Sequence, residues 1–220
     1  MIGTEGNMFS HADFEAMPIV GILRNVPHEQ VMSLLPVYHR AGLTTLEITM
    51  NSGAVEEIIG DAVAAYGTKL NIGAGTVCSL GDLDNALQVG AQFIVTPVVN
   101  EEVIRACVKQ DIPVFPGALS LTEIMKAWDL GAHMVKVFPA SLFGPAYFKS
   151  IRAPLGTDVK LLATGGVGVE AIPDYLSAGV QGFGIGGPLF NNPYLKENDL
   201  LKLEMHFKDF VKQMERYGRV

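Results

Sequence analysis

The sequence predicts an α/β fold: a (β/α)8 barrel of the TIM type in a single domain, with a short N-terminal helical extension. Three observations lead to this prediction. The chain of 220 residues has the length of one such barrel. Short apolar runs alternate with amphipathic stretches throughout. A glycine also recurs where an amphipathic stretch ends. Continuous apolar strands alternating with helices indicate a parallel sheet, and eight such units close into a barrel.

The predicted strands are the eight apolar runs, which begin 20 to 26 residues apart. They cover residues 18–23, 44–49, 70–76, 93–97, 113–118, 134–139, 160–165 and 182–187. Residues 1–17 form the predicted N-terminal extension, 18–190 the barrel, and 195–217 a closing helix. An open, doubly wound sheet is the structural alternative, although such sheets usually have fewer strands.

The helix ends are predicted from glycines that precede an apolar run. Gly42, Gly90, Gly131 and Gly179 each fit the position just after a helix, where the backbone takes a left-handed conformation. Glycine adopts that conformation without steric cost. Each glycine therefore marks the turn from a helix into the next strand.

Composition restricts the partners and the compartment. The net charge of −7, the pI near 5.2 and the absence of a Lys/Arg cluster argue against nucleic acid or an anionic membrane, and favour a small-molecule substrate. Cys78 and Cys107 are too few and too distant for a disulfide framework or a Cys-based zinc site. Neither a signal peptide nor a transmembrane segment is visible, so we expect a cytoplasmic protein.

Polar side chains fall at the carboxyl ends of the predicted strands, where such barrels carry their chemistry. These strand-end residues should converge on one mouth, and they are Arg24, Glu47, Thr76, Thr96, Pro97, Lys136 and Thr164. No Asp or His accompanies them, and the five histidines are dispersed, so we expect no metal site.

The hypothesis about the reaction rests on Lys136 and Glu47. Strand alternation points Lys136 into the barrel if Val135 and Val137 pack on helices, and it leaves Glu47 inside in the same way. Desolvation favours the neutral form of an amine, which attacks carbonyl carbon, and a nearby carboxylate can move the protons. The pair therefore suggests Schiff-base chemistry without a cofactor. A structural ion pair between two strands is the alternative.

Two glycine-rich turns predict an anion site. "TGGVG" (164–168) follows the seventh strand and "GIGGP" (184–188) follows the eighth. Barrels of this fold commonly bind phosphate there, because bare backbone N–H groups approach an anion closely. Glycine could also serve only to permit tight turns.

Together these stretches resemble a family, the class I pyruvate aldolases acting on 2-keto-3-deoxy-6-phosphogluconate (KDPG) and 4-hydroxy-2-oxoglutarate (KHG). The resemblance runs from about residue 18 to 190. Its motifs are "GILR" (21–24), "LEITMNS" (46–52), "GAGTV" (73–77), "IVTP" (94–97), "FPGA" (115–118), "VKVFPA" (135–140) and "ATGGV" (163–167).

The resemblance implies reversible cleavage of a 2-keto-3-deoxy-6-phospho sugar acid into pyruvate and D-glyceraldehyde 3-phosphate, as in Entner-Doudoroff metabolism. It makes Lys136 the Schiff-base lysine and Glu47 the general acid/base. Thr76 would bind the pyruvate part and Phe138 would stack near the substrate. The distal phosphate would meet Gly165, Gly166, Gly186 and Gly187. The resemblance also implies a homotrimer and no cofactor.

Three positions bear on the substrate. Asn51 stands where gluconate-type enzymes carry arginine and resembles the galactonate (KDPGal) branch, so Arg24 would take the carboxylate. Thr164 resembles the gluconate type instead. Pro188 replaces a common phosphate-binding serine and removes an N–H donor. The configuration of the substrate and its phosphorylation therefore remain open.

Other functions fit part of the pattern. A KHG aldolase would release pyruvate and glyoxylate from an unphosphorylated substrate. A phosphate-binding barrel isomerase or synthase, of the thiamin-phosphate or phosphoribosyl type, would use the glycine turns but leave Lys136 without a role. A non-catalytic barrel would only capture a keto acid at its mouth.

Overall fold

The eight predicted strands form a closed barrel, so the predicted fold class is confirmed. The computed structural model describes residues 8–190 and 193–217. All eight pairs of neighbouring strands are parallel, and β8 closes on β1. The strands are β1 Ile19–Leu23, β2 Thr45–Thr49, β3 Asn71–Gly75, β4 Ile94–Thr96, β5 Val114–Ala118, β6 Val135–Val137, β7 Leu161–Thr164 and β8 Gly182–Ile185.

Helix α1 precedes β1, and the other helices follow the strands. They are α1 His11–Ala16, α2 His28–Arg40, α3 Val55–Tyr66, α4 Leu80–Gln88, α5 Glu101–Lys109, α6 Leu121–Asp129, α7 Gly144–Leu155, α8 Ile172–Ser177, α9 Gly187–Phe190, α10 Pro193–Lys196 and α11 Leu200–Tyr217. None of the helices in the described part of the chain has the length and apolarity to cross a bilayer.

Local sequence sets the helix boundaries. Ser79 and Ser120 each begin a helix with a capping box, in which the serine hydroxyl accepts from a backbone N–H three residues on and an acidic side chain accepts in return. The four predicted helix-end glycines all have φ between +87° and +96°. A side chain there would be strained, which is why glycine recurs at these turns.

The hydrophobic core has two parts, and together they leave one end of the barrel for the site. Leu46, Ile48, Val135 and Val137 belong to the larger cluster between strands and helices. A second cluster fills the lower interior of the barrel and contains Phe9, Phe14, Val20, Phe93, Val95, Phe115, Met134 and Leu162. Lys136 follows Met134 by two residues on the inner face, so it lies above this apolar plug.

The N-terminal helix lies where the extension was predicted. Phe14 of α1 is buried in the inner cluster, in ring contact with Phe115. Asn71 holds the segment by accepting from Ser10 N at 2.7 Å and donating to Ser10 O at 3.1 Å. This end of the barrel is thereby closed. The part of the predicted extension formed by residues 1–7 lies outside the described residues.

The predicted closing helix is not continuous, which corrects the sequence interpretation of residues 195–217. Helix α10 ends at Lys196 and α11 begins at Leu200. Asn198 between them has φ +55°, outside the helical region, and the Asp199 carboxylate accepts from Lys202 N at 3.1 Å to start the new helix. The break brings α10 over the mouth of the barrel.

Candidate active site

A cavity of about 640 Å³ opens at the carboxyl ends of the strands. Its size is in the range of small-molecule sites. Three cationic side chains line it, those of Arg24, Lys136 and Lys196, whereas none of its lining residues in the described chain is acidic. The protein has a net charge of −7, so this cavity runs against the overall charge and suits an anion.

Lys136 occupies the middle of β6 on the inner face of the barrel. It pairs in register with Gly117 of β5 and Leu162 of β7, and only 8% of the residue is exposed. Its Nζ lies 5.7 Å from the centroid of the Phe138 ring. The short strand thus presents the amine to the cavity from a fixed backbone position.

Glu47 lies beneath the cavity on β2 and is 1% exposed. Its Oε1 has no hydrogen-bond partner among the described residues. Burial raises the pKa of this carboxyl, and the positive charges of Lys136 and Arg24 partly offset that effect. A carboxyl with a raised pKa keeps its proton to a higher pH than an ordinary glutamate, which suits a general acid/base.

The structural ion pair that was the alternative explanation of these residues is not formed in the described part of the chain. Glu47 and Lys136 influence each other by charge, but they make no hydrogen bond or ion pair. Two strands are therefore not tied together by this pair, and both groups remain free to contact a ligand.

Glycines on the inner face make room for the polar side chains. A Cβ on Gly75 would overlap the Glu47 carboxylate, and one on Gly184 would overlap the Thr164 hydroxyl. Thr164 is 3% exposed, and its Oγ1 is another buried atom without a partner among the described residues. Unpartnered polar atoms in a core are costly, so those at a cavity are candidates for ligand contacts.

The ends of β3 and β7 adopt left-handed turns at the cavity. Thr76 has φ +59°, which is uncommon for a residue with a branched side chain, and such strain clusters at functional sites. Gly165 and Gly166 follow β7 with φ +94° and +73°. All three residues line the cavity. The backbone N–H of Gly166 has no acceptor within the described residues, so it is available to an anion.

A second groove of about 640 Å³ lies between α5 and α6, and its charged side chains pair with one another. There Glu101 pairs with Lys126 at 2.7 Å and with Arg105 at 3.6 Å, so its charges are already matched. Across residues 8–190 and 193–217, no group of three His, Cys, Asp or Glu side chains is placed to hold a metal ion. The mouth cavity is the better candidate site.

Comparison with known proteins decides the family. The family model for KDPG and KHG aldolase matches residues 11–205, which is most of the chain. The chain belongs to the KDPG and KHG aldolase family. It is therefore an aldolase, a lyase that acts on a small-molecule substrate.

Individual relatives agree with this assignment. The aldolase is 38% identical to the 2-dehydro-3-deoxy-6-phosphogalactonate aldolase of Escherichia coli K12 over 174 residues, which cover 79% of this chain and 85% of that one. A solved structure described as native KDPGal superposes with a TM-score of 0.87 at 32% identity, covering 97% of this chain and 100% of that chain. The KDPG aldolase of Legionella pneumophila, with pyruvate captured as a covalent carbinolamine, gives a TM-score of 0.81 at 25% identity and covers 90% and 95%.

Most residues predicted from the sequence meet at the cavity of this aldolase. Its lining includes the predicted residues Arg24, Thr76, Pro97, Lys136, Phe138, Thr164, Gly165, Gly166, Gly186 and Gly187, and Glu47 lies just beneath. Their individual roles remain predictions. Phe138 is 47% exposed, so one ring face is open to a ligand or a partner.

Two of the predicted residues, Asn51 and Thr96, do not line the cavity. Asn51 is exposed in the turn after β2 and is not among the residues that line the cavity. Its predicted role in substrate binding stays a prediction. Thr96 is buried and donates through Oγ1 to Val98 O at 2.6 Å, so its hydroxyl holds the loop after β4.

Sequence reasoning missed Gln30 and Lys196, which line the cavity from α2 and α10. Gln30 lies beyond the loop that follows β1, where no motif marks it. Lys196 was assigned to a continuous outer helix, and only the break at Asn198 brings it to the mouth. Asn198 followed by Asp199 is a weak sequence signal for that break, because asparagine tolerates a left-handed backbone and aspartate caps helices.

Proposed function

We propose that this aldolase cleaves a 2-keto-3-deoxy-6-phospho sugar acid reversibly to pyruvate and D-glyceraldehyde 3-phosphate through a Schiff base on Lys136. The observation that supports this most is the cavity itself: a buried amine faces it, a carboxyl of raised pKa lies beneath it, and its other charged side chains are cations. A substrate with a carboxylate at one end and a phosphate at the other matches that distribution.

The proposed chemistry begins when the Lys136 amine attacks the C2 carbonyl carbon and forms a carbinolamine. Loss of water gives a protonated imine, which withdraws electrons from C3. Removal of the proton from the C4 hydroxyl then breaks the C3–C4 bond, and the aldehyde leaves. The enamine takes a proton at C3, and hydrolysis of the resulting imine releases pyruvate and restores the amine.

Glu47 is proposed to move the protons in these steps. Its pKa is raised by burial, so the carboxyl can donate to the leaving carbinolamine hydroxyl and later exchange the proton at C3. Burial near Lys136 also excludes bulk water, which would compete for these transfers. The carbinolamine captured in the Legionella pneumophila relative supports this course for a similar barrel.

The two anionic ends of the substrate would be bound on opposite sides of the amine. We assign the carboxylate to Arg24 and Thr76, and the phosphate to the turns at Gly165–Gly166 and Gly186–Gly187. A bare glycine backbone lets an anion approach the N–H groups closely. Gly166 is the clearest donor, because its N–H is free of protein acceptors in the described chain.

The configuration at C4 is proposed to depend on Thr164. Its hydroxyl is buried, has no partner among the described residues and faces the cavity beside Lys136. A substrate hydroxyl could complete that hydrogen bond. The relatives include phosphogalactonate enzymes, so both epimeric phospho-sugar acids should be assayed.

Assembly and location are further parts of the proposal. Leu142 and Phe143 expose 61% and 53% of their surface beside the mouth, and such apolar surface is typical of interfaces. We propose a homotrimer because the family resemblance implies one, and light scattering would then report three times the chain mass of 23.6 kDa. The free thiols of Cys78 and Cys107 fit a reducing cytoplasm.

Borohydride trapping tests the central step. The folded protein is incubated with pyruvate, reduced, digested and examined by mass spectrometry. We expect a stable adduct on Lys136 and none in the Lys136→Arg variant, which should keep its fold but lose turnover. Folded protein that turns over substrate without any adduct on Lys136 would refute the mechanism. Activity with other sugar phosphates but not with pyruvate would instead favour an isomerase or synthase.

A further inference from the structure

The β8 side of the cavity has few hydrogen-bond donors for a phosphate. Pro188 has no N–H, and the N–H groups of Leu189 and Phe190 both donate to Gly186 O at 3.0 Å. The remaining backbone donor at the start of α9 is that of Gly187. A phosphate dianion held here by glycine amides alone would keep most of its charge uncompensated.

Helix α10 places a cation over this part of the cavity. Leu195 is only 6% exposed and packs in the main core, which anchors the helix. The chain then leaves the helix at once: Glu197 N donates to Pro193 O at 2.8 Å, and Asn198 turns with φ +55°. Lys196, next to the anchor, consequently lines the same cavity as the glycine turns.

The charge of Lys196 is unpaired in the described part of the chain. Two acidic residues follow it in the chain. Asp199 pairs with Lys202 at 2.9 Å, and Glu197 forms no ion pair with Lys196 among the described residues. Most other lysines with a described partner sit on helix surfaces beside a carboxylate, as Lys208 does with Glu204 at 2.6 Å. A lysine that lines a cavity without any acidic lining residue is placed to meet an anionic ligand.

We propose that Lys196 determines the preference of this aldolase for phosphorylated substrates. Its ammonium group would pair with the distal phosphate and so replace the serine donor that is absent at position 188, where this chain has proline. This inference rests on the proposed function. The lysine acts on binding and not on the bond that breaks, because it lies on the outer wall, whereas Lys136 and Glu47 lie at the base of the cavity. Its loss should raise KM for a phosphorylated aldehyde and leave kcat nearly unchanged.

The kinetic test uses aldol addition of pyruvate to D-glyceraldehyde 3-phosphate and to unphosphorylated D-glyceraldehyde. For Lys196→Met, we expect KM for the phosphorylated aldehyde to rise about tenfold, the size of one hydrogen bond to a charged group. The constants for D-glyceraldehyde should stay unchanged, and Lys196→Arg should restore the phosphate preference. Lys109→Met, at the end of α5 and exposed, is the matched control for loss of one positive charge.

A binding measurement separates this inference from the proposed function. Glycerol 3-phosphate and inorganic phosphate are titrated calorimetrically into the parent and the variants, without any turnover. We expect Lys196→Met to weaken glycerol 3-phosphate binding about tenfold, with Lys196→Arg near the parent. Equal affinity in the parent and Lys196→Met, or no binding to the parent, would overturn the role of Lys196. Failure of the parent to catalyse addition to either aldehyde would overturn the proposed function, while calorimetry would still decide about the lysine.

Discussion

The Gly75→Ala substitution would place a methyl group against the buried Glu47 side chain. The added Cβ would lie 2.5 Å from Glu47 Cγ and closer still to Cδ and Oε1, whereas ordinary contact begins at 3.4 Å. The strand cannot easily withdraw, because Gly75 O accepts from Met50 N at 2.7 Å and Gly75 pairs with Thr49 in the β2–β3 ladder. The carboxylate must therefore move by at least about 1 Å.

We expect that displacement to reduce kcat for aldol cleavage about 100-fold, because misplacing a reacting group by about 1 Å has an effect of this size. Overpacking should also lower the free energy of unfolding by about 1 to 3 kcal/mol. Gly60→Ala is the matched control: its added methyl would have ordinary contact at 3.9 Å, inside helix α3. That control should gain about 0.5 to 1 kcal/mol in stability and keep the parent kcat.

The assay is steady-state cleavage with coupled detection of pyruvate, at a temperature where circular dichroism shows that both variants are folded. Borohydride trapping with pyruvate, after long incubation, should still label Lys136 in Gly75→Ala, since the lysine itself is not displaced. A folded Gly75→Ala variant with the kcat of the parent would refute the reasoning. It would mean that the position of Glu47 does not limit the rate.

Three further predictions concern polar groups that the fold buries. Glu47→Gln should raise the unfolding midpoint at pH 8 but not near pH 4. Burial raises the pKa of Glu47, so the parent loses stability as the pH rises from the unfolded pKa of this carboxyl through its folded pKa. Equal midpoints of parent and variant at pH 8 would contradict this. Thr164→Val should stabilise the free protein by about 1 kcal/mol, since Oγ1 has no partner in the described chain. It should also change the ratio of kcat/KM between the two epimeric substrates. An unchanged ratio would show that Thr164 does not determine which epimer is preferred. Burial, with smaller effects of His11 and Lys160, lowers the pKa of His133 from 6.5 to about 4. The parent should therefore lose up to about 2 kcal/mol of stability as the pH falls through that interval, and urea titrations of His133→Gln should show a flatter profile.

The sequence was sufficient for the barrel because several independent signals coincide. Every predicted strand contains an observed strand, and the predicted helix-end glycines have the expected positive φ. The predicted ranges were too long at some ends. The run 134–139 contains β6 only at Val135–Val137. Phe138 N still donates to Ala118 O at 3.0 Å, but Pro139 has no N–H with which to continue the ladder. Apolar character alone does not show where pairing stops.

The candidate site was predicted on the strands and in the turns directly after them, and it was missed on helices α2 and α10. Strand pairing fixes the direction of Lys136 and Glu47, so alternation alone placed them inside. Asn51 and Lys196 depend instead on how a turn bends. Lys196 lines the cavity and Asn51 does not, and neither outcome follows from hydrophobic periodicity.

Glycines on the inner strand faces are a further sequence signal, because they mark places where a neighbouring side chain needs room. A large inner side chain and a neighbouring glycine occur together at Glu47 with Gly75 and at Thr164 with Gly184. The same arrangement packs the lower interior, where a Cβ on Gly73 would lie 2.5 Å from the Phe93 ring. Because glycine weakens a strand, its repeated use requires a neighbour that needs the space. Where that neighbour is a buried acid or hydroxyl without a partner among the described residues, the space serves a polar group that a ligand can satisfy.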